Sequence, residues 1–457
     1  MAFLYSRHVP VSVTLNLYKI MDNHQAETMN PQERHPGAQS HRLTRSLNFF
    51  DVMCLGINSV VGAGIFLLPG QLCALAGDAA LWVFPLCGIL CFAIALCFAE
   101  MGGMHSGTGG AYLYAKDAFG PFTGFLVGWM MWLSSIIGWA SVAGGFGLYL
   151  AYFLPAGNAW VCKGVIALLV TGLSVINFFG VKPGARTINF FTIGKLLSLL
   201  IFVGVGLLFI KGRNLTALHL SGRFNDAVII ALYAYSGFEY TVVPAGEMQR
   251  PQKDVPRVLF WVLTSVTLLY VAIQTVAMGV FPGLAASEKP LADAAQHFMG
   301  AAGGIIIGIG ALLSIGGVNA GIALTSPRSL YALALDKFFP RTVSKIHPKY
   351  HTPYWAVAVT AALTLLLSLT GSFQYLVAAC VMVSILQYIP TCLAVIVLRR
   401  RRPHEERGYR IPGGYFVPIV ALIICLWLIC HVDLKVIAAT AVAVIAALPF
   451  YFWRRSK

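Results

Sequence analysis

Two short stretches of this chain could grip a small charged molecule with backbone alone. The first is Gly56-Ile57-Asn58-Ser59-Val60-Val61-Gly62-Ala63-Gly64-Ile65-Phe66, followed by Pro69-Gly70. The second is Leu232-Tyr233-Ala234-Tyr235-Ser236-Gly237-Phe238-Glu239, with Pro244 and Gly246 beyond. Both lie in apolar surroundings, where glycine weakens a helix and lets other groups approach. Unwound backbone at mid-membrane leaves N–H and C=O groups free. They are tolerated only where a cavity or ligand satisfies them. The N-terminus of a half-helix attracts a carboxylate, and a C-terminus attracts an ammonium. A zwitterionic α-amino acid carries both groups on one carbon. Gly62, Gly64 and Gly237 could instead be points of close helix packing. Two matched breaks, one beside a carboxylate, favour the binding reading.

Ionisable residues add to the case. Lys195, in Gly194-Lys195-Leu196-Leu197, falls deep in an apolar run. A charge at that depth is costly and is a functional candidate, although a long lysine can also snorkel. Glu239 is the carboxylate nearest the centre of an apolar helix, placed either to carry a proton or to hold backbone. Glu100 and Glu247 fall near helix ends, where they are expected to pair with arginine or lysine and close that side. Asp51 reads as a helix N-terminal charge, and Asp336 as a partner of nearby basic residues.

No HExxH, GxSxG, phosphate-binding loop or CxxC occurs. No metal and no cofactor are therefore expected. An enzyme would need His, Asp or Glu clustered at one depth, and only Lys195 and Glu239 qualify, so no enzyme is expected.

The elements that position these residues follow from composition. Of 457 residues, 58% are hydrophobic and 11% charged. Soluble domains carry roughly a quarter charged residues, so a soluble globule, a disordered chain and a disulfide scaffold are excluded. A spanning helix takes about 20 apolar residues. Apolar runs predict twelve, near 48–70, 79–101, 121–153, 160–179, 187–210, 225–246, 256–281, 300–334, 353–370, 373–398, 415–431 and 433–453. Residues 1–46 read as a flexible cytoplasmic tail, and 47–457 as the membrane domain. The interrupted first and sixth helices are separated by four others. That spacing predicts two five-helix repeats, 47–210 and 225–398, with two further helices over 415–453. An odd number of helices inverts the second repeat, and paired breaks at matching positions point to a transport site.

The net charge of +15 could suggest nucleic acid, but the charges lie between apolar segments. With the N-terminus inside, 25 lysines and arginines fall on the cytoplasmic side and six outside, with Lys195 within a helix. That bias predicts both termini inside, an even helix count and membrane lipid as a partner, with no nucleic acid.

The ordered motifs resemble the amino acid–polyamine–organocation (APC) superfamily of permeases over roughly 47–453. They are Gly62-Ala63-Gly64-Ile65-Phe66, then Glu100 with Gly109-Gly110-Ala111-Tyr112, Phe119-Gly120 and Gly128-Trp129. Ala234-Tyr235-Ser236-Gly237-Phe238-Glu239, Glu247 and Pro251 follow, then Asn319-Ala320, Pro327-Arg328 and Tyr331-Ala332. The resemblance implies an all-α polytopic membrane protein with the LeuT-type five-plus-five inverted repeat. It implies that a substrate carboxylate meets the Ala63 and Gly64 amides, and that its ammonium meets carbonyls near Val60, Tyr233, Ala234 and Ser236. Tyr233 would cover the substrate, Ser134 and Ser135 would form pocket wall, and Trp139 would shorten the pocket. Lys195 matches a lysine that stands in for sodium between helices 1, 5 and 8, so it is expected to contact helix 1 carbonyls and couple to gating. Ser106 departs from a frequent proline.

The expected function is a secondary transporter of small neutral L-amino acids in a prokaryotic cytoplasmic membrane. Proton symport or amino acid exchange would drive it, with protons as a candidate partner. A near alternative is antiport of a cationic amino acid and its amine product. A membrane sensor or structural protein without flux is a different class.

Overall fold

The first apolar run begins with a cap written into its sequence. Asn48 Oδ1 accepts from the Asp51 amide at 2.9 Å, and Asp51 Oδ2 accepts from the Asn48 amide at 3.0 Å. This reciprocal capping box starts α1, Phe49–Val60. The computed structural model describes residues 43–151, 159–212, 223–369, 373–431 and 434–455. Most of the expected tail, 1–42, and the side chain of Tyr233 lie outside the described residues. Among the described residues the regular elements are helical, and the one β-type pairing is an isolated bridge between Leu47 and Met248.

A 3-10 turn at Ala63–Phe66 and helix α2, Leu68–Ala76, continue α1 beyond its break. Then come α3 (Ala80–Met104), α4 (Ala111–Phe119), α5 (Pro121–Ala151), α6 (Ala159–Phe178) and α7 (Val181–Gly206). Helix α8, Phe224–Ala234, stops where glycine was expected to break it. Only 3-10 turns follow, at Phe238–Val242 and Ala245–Glu247. The rest is α9 (Pro251–Val280), α10 (Pro290–Met299), α11 (Ala301–Leu335), α12 (Tyr354–Ser368), α13 (Phe373–Arg401), α14 (Phe416–Cys430) and α15 (Leu434–Arg455).

Two differences from the sequence expectation have clear causes. Helix α7 starts at Val181 rather than 187, because Gly180 (φ 139°) turns the chain and Pro183 fits a first helical turn, where no intrahelical donor is needed. The stretch after α3 contains a further helix, α4, held between Gly110 (φ 54°) and Gly120 (φ 91°).

Large apolar side chains such as Ile89, Leu168, Phe190, Leu268 and Leu366 face outward. Water would penalise such a surface, whereas lipid matches it. Six helical stretches among the described residues are long and apolar enough to cross a membrane, from Leu68–Met104, which joins α2 and α3, to Ala301–Leu335. Phe49–Val60 is shorter because its span is broken. The protein is a polytopic membrane protein whose regular elements, among the described residues, are helical.

Candidate functional site

The two breaks meet. Helix α1 ends at Val60, and α8 ends at Ala234 with Tyr235–Gly237 in a turn. Gly237 adopts φ 112°, a left-handed value that favours glycine. A Cβ there would collide with the Ser59 carbonyl oxygen. Backbone–backbone proximity therefore requires glycine at 237. Gly62 is different: its φ is −92°, and an added Cβ would have Val318 Cγ2 as its neighbour at 3.8 Å. Neither conformation nor packing explains glycine there. Gly62 and Ala63 are partly accessible, and Gly64 is exposed. Ala63 and Gly64 open the 3-10 turn, where amides have no acceptor within the turn.

A helix that stops inside a membrane strands its last carbonyls. Three helices supply donors to them. Lys195 Nζ, from α7, donates to the carbonyls of Asn58 at 3.0 Å and Val61 at 2.5 Å. Ser314 Oγ, from α11, donates to Val61 at 3.1 Å. Tyr270 Oη, from α9, lies 3.1 Å from both the Val60 and Ala234 carbonyl oxygens. One phenol thus serves the ends of both broken helices. Asn58 Nδ2 also donates to the Gly317 carbonyl at 2.6 Å, tying α1 to α11.

Beside the junction is a cavity of about 160 Å³, lined by Ser59, Gly138, Val142, Ser236, Gly237, Glu239, Tyr240, Val318, Ile322 and Thr325. Pockets for drug-sized ligands run to roughly 300–1,000 Å³, so this one suits a small metabolite. Glu239 turns one oxygen inward: Oε2 accepts from the Gly237 amide at 2.8 Å and braces the turn.

The predicted residues therefore separate into groups. Ser236, Gly237 and Glu239 line the cavity. Val60 and Ala234 adjoin it, with their carbonyls on Tyr270. Gly62 faces Val318 of the cavity wall. Ser134 and Ser135 are buried but are not among the lining residues. Ser135 instead bonds Ser326 Oγ at 2.6 Å and donates to the Trp132 carbonyl at 2.7 Å. Helix α5 reaches the cavity one turn later, through Gly138 and Val142 rather than Trp139. Sequence reasoning missed Tyr270 and Thr325. A tyrosine inside the apolar run Leu268-Leu269-Tyr270-Val271-Ala272 was the available signal for the first.

Several ion pairs tie the helices and turns together. Arg328 of α11 binds both Glu247 oxygens, Nη2 to Oε1 at 3.0 Å, with both side chains buried. Glu100 of α3 receives Arg399 and Arg407 and the Ile411 amide. Asp336 pairs with Lys116 at 2.6 Å and with the Tyr112 hydroxyl. Asp51 adds Lys182 at 2.5 Å and Asn189 at 2.9 Å to its capping role.

The amino acid permease family model matches residues 47–452. The chain belongs to this family, within the APC superfamily. This permease is 31% identical over 397 residues to the serine/threonine exchanger SteT of Bacillus subtilis, covering 84% of this chain and 90% of that protein. It is 28% identical over 437 residues to the branched-chain amino acid permease BcaP of the same organism, covering 90% and 93%. It is 29% identical over 425 residues to the methylthioribose transporter of that organism, covering 88% and 90%. The permease is thus a membrane transporter by family, and its relatives include amino acid transporters.

Proposed function

We propose that this permease moves small neutral L-amino acids by alternating access. The observation that carries the reading is the meeting of two broken helices at one small cavity, with Gly237 against the Ser59 carbonyl. The arrangement behind it is twelve spans in a five-plus-five inverted repeat with two added helices. Both termini are cytoplasmic, in a prokaryotic cytoplasmic membrane.

The substrate carboxylate takes the Ala63 and Gly64 amides. Its ammonium approaches the carbonyls of Val60, Tyr233, Ala234 and Ser236, sharing two of them with the Tyr270 hydroxyl. Val142, Val318 and Ile322 give the cavity an apolar wall, and Ser59 and Thr325 add hydroxyls. That lining suits an uncharged side chain. Relatives named for serine/threonine exchange and for branched-chain amino acids support it. Lys195 and Glu239 act in coupling and gating. Proton symport or amino acid exchange supplies the energy.

Uptake of labelled serine, threonine, valine and leucine into proteoliposomes tests this, with an imposed pH gradient or with internal amino acid. Saturable accumulation under either condition is expected. If none of the twenty amino acids moves under either, the reading fails, and saturable binding without flux would indicate a sensor. Glu239 at the cavity wall is the observation favouring the antiporter of a cationic amino acid and its amine. Exchange of that pair without neutral uptake would establish it.

A further inference from the structure

A second concavity lies far from the breaks, on the apolar outer surface. Helices α9 and α14 each pack on α3. The space between them forms a groove of about 480 Å³, almost wholly apolar. Its floor on α3 runs from Pro85 to Leu96, and Thr264, Leu268 and Phe416 stand in its walls. The eleven steps from Pro85 to Leu96, at ~1.5 Å each, give about 16 Å. Half of a ~30 Å hydrocarbon core is about 15 Å. The groove therefore has the length of one leaflet and the chemistry of an acyl chain.

Its charged end is as specific as its apolar body. Along α9, Lys253, Arg257, Thr264 and Leu268 recur at spacings of four, seven and four, which places them on one helix face. Both cations are exposed. Arg257 precedes Thr264 by seven residues, about 10 Å along the axis. On the opposite wall, the Arg400 guanidinium lies 5.7 Å over the ring of Tyr415, which directly precedes Phe416. These cations share one end of the groove: Gln252 Nε2 donates to the Met104 carbonyl at the end of α3, and Glu100 of α3 holds Arg399. Two nearby acids are engaged, Asp254 by Arg250 at 3.9 Å and Glu100 by Arg399 and Arg407.

We propose that this groove is a binding site for one anionic phospholipid of the surrounding bilayer. Its acyl chain lies along α3, between α9 and α14. Its phosphate meets Lys253 and Arg257, with Arg400 across the groove. Basic residues at a membrane surface each contribute a several-fold preference for anionic lipid. The inference is independent of what the central cavity carries.

Native mass spectrometry of the full chain in detergent tests it. Phosphatidylglycerol and phosphatidylcholine with identical acyl chains are supplied in equal amounts. The wild type should retain one phosphatidylglycerol, favoured on the order of tenfold. K253Q/R257Q should lose most of that preference, keeping only the several-fold share of Arg400. A93F, which fills the floor, should lose both. Equal retention by the wild type overturns the site, as does an undiminished preference in K253Q/R257Q. Undiminished binding by A93F overturns the groove as its location, and a second protein copy in place of lipid overturns the occupant. If A93F is not monodisperse, K253Q/R257Q decides alone, since both its positions are exposed.

Discussion

Lys195 Nζ donates to the Val61 carbonyl at 2.5 Å, one residue beyond the point where α1 stops. The buried Lys195 amine thus replaces the helical donor that an unbroken helix would present. Lys195→Met removes that donor, while Ser314 still reaches Val61. A lost donor to a buried acceptor costs about 1–3 kcal/mol, a fraction of the stability of a chain this size. Folding should survive, judged by monodispersity and a Tm lowered by only a few degrees. Uptake should be abolished or uncoupled from its driving gradient, and unchanged transport would remove Lys195 from the mechanism.

The two glycine breaks should respond differently to alanine. Gly237→Ala forces a left-handed residue, costing about 1–2 kcal/mol, and drives a methyl into the Ser59 carbonyl. Expression and Tm should both fall. Gly62→Ala meets Val318 at an ordinary 3.8 Å and should fold normally. Its effect should be a raised KM, because the methyl enters space beside the cavity. Equal Tm losses in both variants would assign Gly62 to packing.

Tyr270→Phe tests whether one hydroxyl links both breaks. The stability cost should be about 0.5–1.5 kcal/mol, that of one hydrogen bond. A larger effect is expected on substrate affinity, since the Val60 and Ala234 carbonyls lose a shared donor together. Binding measured by scintillation proximity, beside Tm, separates the two. A Tm loss with unaltered affinity would make Tyr270 purely structural.

Arg328 and Glu247 connect α11 to the turns after α8 through a buried pair. Arg328→Ala strands a carboxylate and should destabilise by about 3–5 kcal/mol. Replacing both, as R328M/E247L, should recover most of that loss. If the pair closes one side of the cavity, the double variant should label faster at a cysteine placed at Thr325. Labelling at the wild-type rate would argue against a gate.

Much of this protein is legible in its residues. Hydrophobic runs, scarcity of charge and a polar break every twenty-odd residues dictate membrane-spanning helices, because lipid leaves few other ways to satisfy a backbone. Glycine with neighbouring proline marks where α1 and α8 cannot continue. Lys195 stands out because a lone cation in an apolar run needs a reason. Short elements such as α4 were not legible, since they depend on glycine dihedrals at their two ends.

Tertiary structure alone decided which groups meet. Nothing local to Leu269-Tyr270-Val271 reveals that its hydroxyl reaches carbonyls 210 and 36 residues away in sequence. Nor does any helical pattern tell that α5 presents Gly138 and Val142 to the cavity while Ser135 turns to Ser326. Periodicity states how far apart two side chains lie around one helix, but an all-apolar helix has no polar face to orient it. Its rotation is set by the small residues and hydrogen bonds of its neighbours, and those come from distant parts of the chain.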